Sequence, residues 1–84
     1  MNKRYSEELH KHFEDLYLGR TVQSTNQRDK MVYIVSSIFW SARDLNGNGR
    51  FLAHCYNSAN RESTVNWNPD TLVIVELQHD LFKG

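Results

Sequence analysis

A single cysteine, Cys55, stands in the whole chain, so no intramolecular disulfide can staple it, and a secreted disulfide scaffold is excluded. Proline is as scarce, with Pro69 alone, and there is no internal repeat, linker or low-complexity tract. No charge of either sign is in excess: 10 Lys and Arg against 10 Asp and Glu leave a formal net charge of zero. A generic duplex-DNA binder carries a basic excess, because counterion release from phosphates supplies most of its non-specific affinity. The same balance argues against an acidic mimic of DNA. No apolar stretch approaches the roughly 20 residues that span a bilayer, and no lipidation motif stands at either end. The opening residues are charged and form no apolar signal core, so a cytoplasmic protein without a membrane role is expected. Also missing are a G-x-S-x-G elbow, a P-loop and a G-x-G-x-x-G turn, and the carboxylates show no acid and base spacing. Neither an enzyme nor a cofactor is expected.

What is present is enough for one domain, residues 1–84, near the lower limit at which a single core suffices without disulfides or metal. Tyr5, Phe13, Tyr17, Tyr33, Phe39, Trp40, Phe51, Tyr56, Trp67 and Phe82 supply much of the burial, since each large ring can bury roughly 150 to 250 Å².

The chain is organised around Met31 to Asn57. β-Branched and aromatic residues dominate Met31 to Arg43, the composition of a pleated strand. Strict alternation puts Val32, Ile34, Ile38 and Trp40 on one face and Tyr33, Val35, Phe39 and Arg43 on the other. The turn Asp44 to Arg50 imitates the opening of a calcium-binding EF-hand through Asp44, Asn46, Asn48 and Gly49. Its twelfth position, however, is Cys55 where a bidentate glutamate is needed, and a strand precedes it where a helix should be. A calcium loop over Asp44 to Cys55 is therefore a distant alternative to a plain hairpin whose glycines supply positive φ. The returning strand, Arg50 to Asn57, has Phe51, Ala53 and Cys55 on one face and Arg50, Leu52, His54 and Tyr56 on the other. The register that joins Phe51, Ala53 and Cys55 to Val32, Ile34, Ile38 and Trp40 gives a conventional core, and a one-residue slip would swap every assignment.

Upstream, Tyr5, Leu9, Phe13, Leu16 and Tyr17 recur at spacings of three and four within Asn2 to Leu18, the stripe of an amphipathic helix that Gly19 should end. Thr21 to Ser24 reads as a short strand, Asn57 to Ser63 as a polar loop and Asn66 to Thr71 as a turn. Thr71 to Leu77 contains a short continuous apolar run consistent with a central or doubly covered strand, and Leu81 and Phe82 in the tail are candidates for docking. The fold class that results is α+β, an N-terminal helix on an antiparallel meander of three to four strands.

Two chemical readings fail on spacing. His10 and His12 point about 200 degrees apart on a helix and cannot share a metal. His54 cannot activate Cys55, because neighbouring strand residues face opposite ways, so a buried, inert thiol is expected. The constellation that remains is Tyr33, Phe39, Arg43, Arg50, His54 and Tyr56, gathered on the face away from the helix. Rings flanked by arginines on a sheet suit a protein interface. They also suit single-stranded RNA, whose bases stack on rings while cations meet phosphates. The third reading is that the C-terminal segment, or a second copy of the chain forming a homodimer, covers that face. The expected function is non-catalytic binding and modulation of a protein partner.

In size, asparagine content and the opening Met-Asn-Lys-Arg-Tyr-Ser-Glu-Glu, the chain resembles the small accessory proteins of tailed phages. That resemblance implies a regulatory protein that binds and blocks a host factor such as a toxin, nuclease or other defence enzyme, sometimes together with RNA.

Overall fold

A computed structural model describes residues 4–75. The helix α1 (Glu7–Tyr17) starts where Ser6, in extended backbone, accepts the Leu9 N–H on its side-chain oxygen at 3.2 Å. Glu7 and Glu8 in the first turn complement the helix dipole. It ends as expected at Gly19, whose φ of +78° lets the chain leave while the Arg20 N–H returns to the Tyr17 carbonyl at 2.9 Å.

Among the described residues five strands follow: β1 (Thr21–Ser24), β2 (Tyr33–Ala42), β3 (Gly49–Asn57), β4 (Asn60–Trp67) and β5 (Leu72–Ile74). They form one antiparallel sheet in the order β4-β3-β2-β1-β5, an α+β arrangement with more strands than the three to four expected. The additional strand is β4, expected as a polar loop over Asn57 to Ser63. Its sequence is polar because it is an edge: only Val65 and Trp67 turn toward the core, and its order comes from pairing with β3. β5 is likewise an edge strand and not a central one. Leu72 and Ile74 face inward while Val73 remains 53% exposed.

β5 reaches the far edge by a crossover through a 3₁₀ turn (Pro69–Thr71). Asn68 accepts the Asp70 N–H at 2.9 Å, Pro69 is fully buried, and the Thr71 hydroxyl meets that of Ser24 at 2.9 Å. The core is Val22, Tyr33, Val35, Ile38, Phe51, Ala53, Cys55 and Leu72, with Phe13, Tyr17, Trp40, Val65, Trp67 and Ile74 packed against it. Each large apolar side chain so buried contributes about 1.5–3 kcal/mol. β1 pairs only with Tyr33 and Ile34 of β2; the backbone of Gly19 and Arg20 continues the hydrogen bonds at Val35, and farther along that edge a helix side chain reaches Ile38. His10 Nε2–H donates to the Ile38 carbonyl at 2.8 Å, while Nδ1 accepts from the Tyr5 hydroxyl at 2.8 Å. Helix residues 2–3, the end of the expected last strand at Glu76 and Leu77, and the docking candidates Leu81 and Phe82 lie outside the described residues.

Candidate functional site: the open face of the sheet

The position of a β-bulge decides which side chains meet on the open face. β2 and β3 pair Val35 with Cys55 and then Ser37 with His54, so Ser36 is an extra residue without a partner opposite. Its hydroxyl instead donates to the His54 carbonyl at 3.0 Å. The two halves of β2 therefore present opposite parities: Tyr33 and Val35 share a face with Ile38 and Trp40, and Ile34 shares one with Phe39. Strict alternation through Ser36 had placed Ile34 in the core and Tyr33 outside it, and both assignments are reversed.

Tyr33 is accordingly not a residue of the open face. It is 7% exposed, meets the Trp67 ring edge-on at 4.8 Å, and donates its hydroxyl to Asp29 Oδ2 at 3.3 Å. Burial, and secondarily the Asp29 carboxylate, push its phenol above the usual value. The expected companions Phe51, Ala53 and Cys55 do line the core with Ile38 and Trp40.

The structure does gather Phe39, Arg50, His54 and Tyr56 on the face away from the helix. Across the β2–β3 ladder, Phe39 stands opposite Leu52, Ser41 opposite Arg50, Ser37 opposite His54 and Ile34 opposite Tyr56. Arg43 lies one residue past β2, where its N–H still donates to the Asn48 carbonyl at 2.7 Å, and extends the row to the hairpin neck. His54 Nδ1 donates to Asn66 Oδ1 at 2.7 Å, which fixes the ring and leaves Nε2 without a partner among the described residues. The Arg61 guanidinium lies 5.5 Å from the centre of the Tyr56 ring. Sequence reasoning missed Ile34 and Arg61, and it placed Leu52 on this face without including it in the site. Leu52 is legible by parity, since it alternates with Arg50, His54 and Tyr56; Arg61 was hidden by reading β4 as a loop. The signal for Ile34 is the Ser36–Ser37 pair, two polar residues in succession within an apolar run.

The remaining candidates are accounted for by geometry. Cys55 is fully buried, and burial pushes its thiol up to about 11, so it is not a thiolate at neutral pH. His54 stands on the other face, as neighbouring strand residues must. At the hairpin turn, Asp44 Oδ1 accepts the N–H groups of Asn46 and Asn48, and Oδ2 accepts Asn48 Nδ2 at 2.8 Å. These bonds, the Asn48 side chain first, hold the carboxyl below the usual range. β3 starts at Gly49, so Phe51 to Cys55 belong to the strand. Among the described residues, no three His, Cys, Asp or Glu side chains converge as metal ligands, and no helix is long and apolar enough to cross a membrane. Comparison with known protein families, with curated protein sequences and with solved structures found no match to this chain.

Proposed function

We propose that this chain is a non-catalytic binding protein that docks a protein partner on its open sheet face, with Phe39, Leu52 and Tyr56 at the centre and Arg43, Arg50, His54 and Arg61 around them. One observation carries the reading: the face opposite the helix combines aromatic, aliphatic and arginine side chains, each partly or fully exposed. Such a mixture, apolar in the middle with arginines and tyrosine placed around it, is the composition of interface hot spots. Under the resemblance to phage accessory proteins, the partner class is a host toxin, nuclease or other defence enzyme, and the outcome is inhibition.

Single-stranded RNA is the second reading. It is weakened by the placement of Tyr33 in the core, which leaves Phe39 and Tyr56 as the rings of this face, with Ile34 and Leu52 standing where further rings would stack bases. The zero net charge points the same way.

The test is capture from native lysate on tagged protein, split between nuclease-treated and untreated halves, with the Phe39→Asp/Leu52→Asp double variant run beside the wild type. A stoichiometric protein that survives nuclease and is lost from the double variant supports the proposal. A partner retained equally by the double variant refutes this site. Loss of every partner after nuclease, with binding that weakens steeply with salt, would move RNA to the front. A wild-type dimer that the double variant converts to monomer would assign the face to a second copy of the chain.

A further inference from the structure

A second site, which shares only Arg50 with the open face, lies on the helix side. A cleft of about 280 Å³ opens between α1 and the crossover, lined by Leu9 and Phe13 from the helix, Trp40 and Phe51 from the sheet, and Pro69 from the 3₁₀ turn. It persists because the helix is only partly embedded. No residue of α1 is fully buried, and Leu9 remains 42% exposed although it belongs to the apolar stripe. The cleft's interior is held in place by ring contacts. Phe51 is met by Tyr5, Phe13 and Trp40 with ring centres 5.7, 5.5 and 5.0 Å away, and the Trp40 and Phe13 contacts are edge-on. Packed rings of this kind do not easily collapse into the space, because each is already in contact on more than one side.

The charge around this apolar space is asymmetric. Arg4 and Arg50 border it together with Asp70, a formal excess of one positive charge. Neither arginine has a carboxylate partner among the described residues. Its volume falls just below the range of small-ligand pockets, about 300 Å³ upward, and suits a single large side chain better than a cofactor. Guanidinium groups beside such a space favour carboxylates, which they can hold in bidentate geometry.

We propose that this cleft receives one large apolar side chain of an acidic linear peptide, the ring or branched chain entering between Leu9, Phe13 and Phe51 while flanking carboxylates meet Arg4 and Arg50. The argument for that occupant is charge complementarity. A basic or uncharged peptide would leave both arginines unmatched, and a bare anion would leave the aromatic walls in water. Arg50 also borders the open face, so Arg4 is the side chain that reports on the cleft alone.

The experiment follows the two indole N–H resonances of the ¹⁵N-labelled full chain, with Trp40 assigned by Trp40→Phe and Trp67 as the internal control. The probe is the peptide acetyl-Asp-Glu-Phe-Asp-Glu-amide. Its comparators replace the phenylalanine by alanine or all four acids by lysine. The expected result is a saturable shift of Trp40 with the acidic phenylalanine peptide, little movement of Trp67, and weakening by roughly tenfold or more in Arg4→Gln, as loss of a charged hydrogen bond predicts. Phe39→Asp, on the opposite face, should bind the probe unchanged. The proposal is overturned if Trp40 is unmoved at millimolar peptide, if the lysine or alanine comparator binds equally, or if Arg4→Gln has no effect. Such a failure would leave the open-face reading intact, because that reading is tested by Phe39 and Leu52.

Discussion

Replacing Gly49 by alanine separates two reasons for a glycine. Gly49 stands opposite Ala42 at the mouth of the hairpin, and its φ is not positive; among the described residues only Gly19 and Gly47 have positive φ. On backbone preference alone, alanine within a strand should gain about 0.5–1 kcal/mol over glycine. A methyl group at this position, however, would run into the Ser41 carbonyl oxygen, well inside contact distance, and would stand 2.9 Å from two atoms of the Trp40 ring. The carbonyl belongs to the backbone of the paired strand, and the ring is held at 5.0 Å by Phe51 and 5.9 Å by Tyr5, so neither can yield without moving the aromatic cluster. Overpacking of this kind costs about 1–3 kcal/mol and occasionally more, which leaves a net loss of about 1 kcal/mol after the backbone gain. With an unfolding entropy of about 2.1 cal/mol/K per residue, that loss lowers the melting temperature by roughly 6 °C for a chain of this length. Gly47→Ala is the control: nothing lies within 4 Å of its added methyl, but its φ of +87° makes alanine strained, at about 1–2 kcal/mol. Thermal unfolding by circular dichroism measures both, and the near-ultraviolet signal of Trp40 should change only in Gly49→Ala. A Gly49→Ala variant as stable as the wild type, or more stable, would refute the close packing of Trp40 over the hairpin mouth.

Three further outcomes are expected. Burial raises the Cys55 thiol from 9.0 to about 11, so the unfolded chain ionises first. The associated stability is complete below about pH 9 and is lost as pH climbs toward 11, a fall on the order of 2 kcal/mol that urea titrations should show and Cys55→Ala should flatten. Tyr33→Ala should cost about 3–5 kcal/mol, enough to approach unfolding in a domain whose whole stability is about 4–13 kcal/mol, whereas Tyr56→Ala should remain within about 1 kcal/mol; comparable losses from the two would contradict the bulge at Ser36. His10→Ala removes the bond to the Ile38 carbonyl and the one from Tyr5, so about 1–2 kcal/mol should be lost and hydrogen exchange in α1 should accelerate before exchange in β3.

Elements whose causes are local are legible from the order of residues alone. The helix follows from apolar residues at spacings of three and four, and its end from Gly19. The hairpin follows from two β-prone runs around an Asn-Gly turn. The opposite facing of His54 and Cys55 follows from the twofold period of a strand. Four of the six residues expected on the open face, Phe39, Arg50, His54 and Tyr56, were placed correctly because they lie beyond the bulge, or across from it, in the expected register. The phase of β2, in contrast, was set by packing across the sheet. A side-chain period of two means that one extra residue inverts every assignment before it, so Ser36 alone sends Tyr33 into the core and Ile34 out of it. Neither serine announces which of them will be extruded, since that depends on how Val35 and Ile38 both reach the buried face beneath the helix. β4 was hidden for a related reason: an edge strand needs few apolar residues when its partner supplies the hydrogen bonds. β5 read as central because its composition records what it buries and not which neighbour it pairs with, and the crossover past Pro69 delivers it to the edge beside β1.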